Sequence, residues 1–191
     1  MPSQIVERRI RPVALAVAAL ALLAVLAPAA VASGRAVPSQ DPFYNYAGTS
    51  LSRIPPGTVL KHRSIQLALG PGTSTPVRAE QLLYRTSDQG GRPSATVTTV
   101  LQPTSPPIAP RIVGYLSFYD GLASKCDPSY SLAGGDTKDS TYQQEAQEEE
   151  LLMAWYLAQG DIVTVPDFEG TGLHWMAGRE AGVGALDAIR A

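Results

Sequence analysis

The sequence predicts an α/β fold whose sheet begins antiparallel and becomes parallel. Three observations carry that reading. Two strand-like runs, residues 79–86 and 95–101, flank the turn series Asp88-Gln89-Gly90-Gly91 and so read as a hairpin. Beyond them the pattern alternates strand, helix, strand, helix, which favours parallel pairing. The composition, 45% hydrophobic and 17% charged over 191 residues, is that of a globular domain and excludes a collagen, a coiled coil or a wholly disordered tail.

Taken in order, Arg8, Arg9 and Arg11 lead into an apolar run over 13–26, followed by Pro28 and the small-residue series Ala30-Val31-Ala32. A basic start, a short apolar stretch and an A-x-A site predict a secretory signal peptide over residues 1–32, cleaved after Ala32. The run is shorter than the ~20 residues a membrane helix needs, so no stable membrane span is expected. The remaining 159 residues carry 12 basic and 16 acidic side chains, a net charge of −4. That balance has no basic footprint, and no nucleic-acid partner is expected.

Residues 33–191 read as one domain opened by an extended N-terminal arm (33–60), whose Phe43, Tyr44 and Tyr46 are expected to lie on the body. Gly70-Pro71-Gly72 marks a turn before the hairpin. The second hairpin strand is rich in β-branched residues (Thr96, Val97, Thr98, Thr99, Val100), as a strand should be. After a Pro-rich connector, residues 111–119 (Ile112, Val113, Tyr115, Leu116, Phe118, Tyr119) suit a strand buried on both faces. Residues 120–139 form a long polar loop, a length usually reserved for function or disorder.

Residues 141–159 are the clearest helix. Glu145, Glu148, Glu149 and Glu150 favour the positive end of its dipole and are expected to make a solvated face. Leu151, Leu152, Trp155 and Tyr156 follow at helical spacing, and Gly160 supplies the stop. A short apolar strand over 161–165 ends at Pro166. The loop Asp167-Phe168-Glu169-Gly170-Thr171-Gly172 comes next, then a helix from about residue 177, where Gly178, Gly182 and Gly184 offer a small-residue face for close packing.

The chain holds no Cys/His ligand spacing and no GxxxxGK[ST] loop, so no metal and no cofactor are expected. His174, beside Trp175, reads as a polar pocket or surface residue rather than a base. Asp167 and Glu169 stand at the carboxyl edge of a strand, where α/β sheets place their sites; they line a substrate pocket, or they cap and turn the loop. Cys126 is the single cysteine, and in an oxidising compartment an odd cysteine has a partner elsewhere or remains a free thiol. Asp120-Gly121 by itself reads as a turn at a strand end.

Several segments resemble the secretory lipases of the fungal lipase A type. They are Tyr119-Asp120-Gly121, Cys126-Asp127-Pro128-Ser129-Tyr130, Gly160-Asp161-Ile162-Val163-Thr164-Val165-Pro166-Asp167 with Glu169-Gly170, and Leu186-Asp187-Ala188-Ile189-Arg190-Ala191. The resemblance covers about residues 41–191 and implies the N-terminal half of an α/β-hydrolase fold, truncated before the nucleophile strand. It implies ester hydrolysis through a Ser-His-Asp acyl-enzyme, with triacylglycerols or related lipid esters as substrate. It implies that the Asp120 backbone N–H serves the oxyanion hole and that Cys126 forms a disulfide with a partner beyond the chain end. No serine has Gly at both −2 and +2, so the G-x-S-x-G elbow is absent and the chain is expected to be inactive alone. The alternative is a non-catalytic exported protein derived from a lipase, kept for binding lipid or a partner.

Overall fold

The hairpin is the middle of the sheet. In the computed structural model, which describes residues 35–67, 77–104, 108–109, 111–118, 121–135 and 140–191 (140–147 as backbone only), β2 (Arg78–Ser87) and β3 (Pro93–Gln102) pair antiparallel with Leu83 opposite Val97. The turn closes as its residue types demand. Gly91 takes a φ of 80°, and the Asp88 carboxylate accepts from both the backbone N–H and the guanidinium of Arg92. The signal-peptide segment, the Gly70-Pro71-Gly72 turn and Asp120 lie outside the described residues.

Three further strands complete the sheet among the described residues, in the order β1-β2-β3-β5-β4. β1 (Val59–Ile65) pairs antiparallel with β2, and β5 (Ile162–Pro166) pairs antiparallel with β3. β4 (Ile112–Gly114) then runs parallel to β5. The sheet therefore begins antiparallel and turns parallel at its β5/β4 end, as the element order implied. A bidentate pair between Arg111 and Asp161 (2.9 and 3.0 Å) ties the entry of β4 to the entry of β5.

The two faces of the sheet are covered differently. One face takes α1 (Pro128–Leu132) and α2 (Ser140–Ala158), which close over Leu67, Ala79, Leu101, Val163 and Val165 with Leu132, Met153 and Leu157. Each Val, Leu or Met side chain so removed from water contributes about 1.5–3 kcal/mol. The same face receives the N-terminal segment, whose Tyr44 is buried on Leu83 and Val97. Arg63 fastens that segment: its guanidinium sits 4.1 Å from the Phe43 ring centroid, pairs with Asp41 at 2.6 Å and donates to Gln81. The other face takes α3 (Gly178–Arg190). There the Tyr84 hydroxyl donates to the carbonyl of Gly184 (2.9 Å), and Thr86 donates to the buried carboxylate of Asp187 (2.9 Å). All described residues fall within one compact unit, Gly34–Ala191.

Several expectations are corrected. β1 has no counterpart among the expected strands: Lys61, His62 and Arg63 interrupt its apolar pattern, and it is an edge strand, where charge is tolerated. The segment before it is wound into short 3-10 turns (Pro38–Gln40, Pro42–Tyr44, Leu51–Arg53) rather than simply extended. The run over 111–119 does not form a strand buried on both faces. Among its described residues the strand is Ile112–Gly114, at the sheet edge, with the Tyr115 N–H donating on to Thr164, and Ile112, Leu116 and Phe118 are exposed. Residues 120–139 are not wholly loop, since they hold α1, buried along its whole length. Of the expected small-residue face on α3, Gly184 is buried, but a Cβ at Gly178 or Gly182 would meet nothing within 4 Å.

The largest correction concerns α2, whose buried and exposed sides are exchanged. Leu151, Leu152 and Trp155 are exposed, whereas Glu149 and Glu150 are 2% and 3% exposed. The buried stripe runs Glu149, Met153, Leu157, four residues apart, and only Glu148 of the three described glutamates is solvated. Gly160 ends the helix as expected. With φ at 86° it donates to the Leu157 carbonyl while Asp161 donates to Tyr156, the paired bonds of a Schellman cap.

Candidate active site

β4 and β5 are parallel, so their carboxyl ends open onto the same edge, the place where such sheets assemble ligand sites. Three segments meet there: the chain leaving β4, the stretch Ser124–Leu132, and the loop from Asp167 to Leu173. A cavity of about 220 Å³ lies between the last two of these and the N-terminal segment, lined by Tyr44, Asn45, Ser124, Asp127, Thr171 and Leu173 with Pro38 and Ser39. A larger cavity of about 460 Å³ lies on the α3 face, bounded by His62, Glu80, Leu82, Ile112, Ile162 and Arg190. It runs under the strands rather than at their carboxyl ends, so its size does not make it the site.

The segment leaving β4 is held by Glu149. Its carboxylate accepts from the hydroxyls of Tyr115 (3.1 Å) and Ser117 (2.5 Å) and from the backbone N–H of Phe118 (3.1 Å). These donors are what make burial of the acid tolerable. Burial, together with the neighbouring carboxylate, pushes the Tyr115 phenol up to about 12. Nothing in the four-glutamate run singled out Glu149 as a fixing residue. The available signal was spacing, since it continues the Met153, Leu157 stripe by one turn.

The loop after β5 is fixed by Asp167. One carboxylate oxygen accepts from the Ser129 N–H (2.8 Å) and the other from the Ser129 hydroxyl (2.6 Å). With its proton given to Asp167, the Ser129 hydroxyl accepts from Tyr44 (2.7 Å), while Gln81 donates to the Ser129 carbonyl. Burial is the main reason that the Tyr44 phenol is shifted well above its usual range. Asp167 thus holds the start of α1 against β2 and the N-terminal segment. It does not line the 220 Å³ cavity.

Glu169 is buried beside it, accepting from the Met176 N–H at 3.4 Å. Burial raises its carboxyl above the ordinary range, and Glu180 adds to the rise. Gly170 takes a φ of 67°, and a Cβ there would run into Glu180, so the Glu169-Gly170 pair needs its glycine. His174 stands 2.6 Å from Glu180 through Nδ1, and Glu180 also accepts from the Gln89 N–H (3.0 Å). This knots the hairpin turn, the loop and α3 together. His174 is a half-buried partner of Glu180. Cys126 is a buried free thiol in the 3-10 turn Ser124–Cys126. Asp120 is outside the described residues, so the geometry of its N–H is not described. Among the described residues no helix is long and apolar enough to cross a membrane.

A family model, "Secretory lipase", matches residues 137–191. The protein named "Probable inactive lipase MT1628" from Mycobacterium tuberculosis is 39% identical over 159 residues, covering 81% of this chain and 34% of that protein. A secreted triacylglycerol lipase of Malassezia furfur is 37% identical over 155 residues, with 81% and 32% covered. Lipase A of Arthroderma benhamiae is 35% identical over 158 residues, with 81% and 33% covered. The chain thus spans about a third of the length of the curated relatives it matches. The X-ray structure of Candida antarctica lipase A superposes with a TM-score of 0.74 at 31% identity, covering 83% of this chain and 36% of that one. The order of its strands, the carboxyl-edge loops and these likenesses agree: the chain belongs to the secretory lipase family and has the fold of its α/β-hydrolases.

Proposed function

We propose that this chain is exported, with residues 1–32 removed after Ala32, and that it forms the N-terminal part of a carboxylic-ester hydrolase acting on acylglycerols or similar lipid esters. The observation that carries the reading is the likeness to Candida antarctica lipase A, in which fold and sequence agree over most of the chain. Catalysis would proceed through a serine acyl-enzyme, and the 191 residues contain no G-x-S-x-G elbow to supply the serine. By itself the chain turns over no ester.

Within that enzyme Asp120 provides one oxyanion-hole donor through its backbone N–H, an interaction worth about 2.7–4 kcal/mol in a transition state. Supporting this is Glu149, which fixes Phe118 two residues upstream. Asp167 and Glu169 shape the pocket from beneath, Asp167 through Ser129 and Tyr44. Cys126, buried beside the cavity residues Ser124 and Asp127, pairs with a cysteine beyond Ala191.

The test is to incubate the purified full chain with p-nitrophenyl butyrate; release no faster than from a heat-killed control is expected. Release above that control overturns the placement of the nucleophile outside these residues. A second reading is a non-catalytic lipid- or partner-binding protein, favoured by the relative from Mycobacterium tuberculosis, which is named an inactive lipase. Reading the genomic frame past the codon for Ala191 separates the two. A G-x-S-x-G within a few tens of codons supports the hydrolase, and an immediate stop supports the binder.

A further inference from the structure

Residues 171–177 join the Glu169-Gly170 turn to α3, and their hold on the rest of the molecule is slight. Most of their backbone bonds are local: Leu173 donates to Gly170, His174 to Glu169 and Ala177 to His174. Leu173 (φ 50°) and Met176 (φ 55°) are held in the left-handed region, which L side chains disfavour. Among the described residues, one side chain of this stretch hydrogen-bonds outside it. That side chain is His174, whose Nδ1 lies 2.6 Å from the Glu180 carboxylate on α3.

The two partners differ in burial. The Glu180 side chain is 4% exposed and its carboxylate also accepts from the Gln89 N–H, whereas the His174 ring is 40% exposed and open to exchange its proton with solvent. Glu169 is buried in the same corner and its carboxyl is raised, by burial first and by Glu180 in addition. The nearby cations are engaged elsewhere. Arg92 pairs with Asp88 in the hairpin turn, and the Arg179 guanidinium lies over Gly91, where a Cβ would meet it at 3.2 Å. The corner thus gathers two buried carboxylates, with the imidazole as the cation that can face them.

We propose that His174 and Glu180 form a proton-operated latch: the protonated imidazole holds residues 171–177 against α3, and loss of that proton releases them. A neutral ring gives Glu180 one ordinary hydrogen bond. An imidazolium gives it a charge-assisted one and offsets the repulsion between Glu180 and Glu169. The left-handed conformations at Leu173 and Met176 work against the latch, because a released loop relaxes both. The latched state holds a proton that the released state does not, so the latched fraction falls as pH rises. Thr171 and Leu173 stand in the wall of the 220 Å³ cavity, and release moves that wall. The proton on His174 thereby sets access to the carboxyl edge of the sheet.

Hydrogen–deuterium exchange of the full chain, corrected for the intrinsic rate at each pH, reads the latch on the amides of residues 171–177. Their protection should fall about fivefold from pH 5 to pH 8, a modest change because the ring is partly exposed, while β2 and β3 keep theirs. His174→Gln retains a donor without the charge, and should hold the loop at the wild-type pH 8 level throughout. Glu169→Gln should leave the pH dependence in place, which assigns the proton to His174. A Trp155→Phe chain has Trp175 as its one tryptophan and leaves the latch untouched, so it covers the case in which either variant misfolds. Acrylamide quenching of Trp175 in that chain should rise over the same range. Protection and quenching that stay level with pH, a dependence that survives His174→Gln, or one that vanishes in Glu169→Gln overturns the proposal.

Discussion

The antiparallel and parallel halves of the sheet treat their apolar residues in opposite ways. On β2 and β3, Leu83, Tyr84, Val97 and Leu101 are wholly buried, and each strand is hydrogen-bonded on both sides. Around β4 and α2, Ile112, Leu116, Phe118, Leu122, Leu151, Leu152 and Trp155 are exposed, while Glu149 and Glu150 are buried beside Met153 and Leu157. The hairpin half assembles from residues close in sequence, whose side chains alternate onto two covered faces. The parallel half depends on the crossover from Gly114 to Ile162, and polar fixings rather than apolar contact set its geometry there.

The strongest test of that contrast is a pair of truncations. Leu83→Ala should cost about 3 kcal/mol in urea unfolding of the full chain, and Phe118→Ala should stay within about 0.5 kcal/mol. Equal losses would mean that the parallel half is packed as tightly as the hairpin. Next in size is Asp167→Ala, which strands the Ser129 N–H at the junction of the two halves. A loss of about 2–3 kcal/mol is expected, and a loss below about 0.5 would show that α1 holds its place without the cap.

Glu150 yields a pH test of the same contrast. Its carboxyl rises from 4.5 to about 8 through burial, so the folded chain keeps a proton that the unfolded chain has already released. Folded binds more protons than unfolded across that window, and stability must fall as pH rises from about 5 to 8. Discounted for partial solvent screening, the fall should be about 2 kcal/mol, and Glu150→Gln should flatten it. A wild-type chain whose stability is level over this range would place the carboxylate in contact with water. Smallest of all, Trp155→Lys should change stability by no more than about 0.5 kcal/mol while raising solubility in a precipitation assay. A larger loss would mean that Trp155 is packed and the exposed patch is not free.

Much of the architecture was legible because its signals are local. The Asp88–Gly91 turn between two strand-like runs could only be a hairpin, and Gly160 could only stop a helix, since each rests on backbone conformations that few residues adopt. The motif Asp167-Phe168-Glu169-Gly170 was rightly placed at a strand end, but its neighbours were not readable. Asp167 meets Ser129 across 38 positions and, through it, Tyr44 across 85 more, and no local pattern encodes such a meeting. β1 was hidden by three basic residues that an edge strand tolerates.

The sequence by itself determined the hairpin, the helix ends, the alternation that makes the sheet turn parallel and the likeness to secretory lipases, because turn chemistry and periodicity act over a few residues. Only the tertiary structure decided which side of α2 faces inward. A run of glutamates followed by leucines and a tryptophan reads as a solvated acid face and a packed apolar one. The fold reverses it, because donors from Tyr115, Ser117 and Phe118 arrive from more than thirty residues away and make a buried Glu149 acceptable. Beside it Glu150 is carried inward on the same turn of helix, with no hydrogen-bond partner for its carboxylate among the described residues.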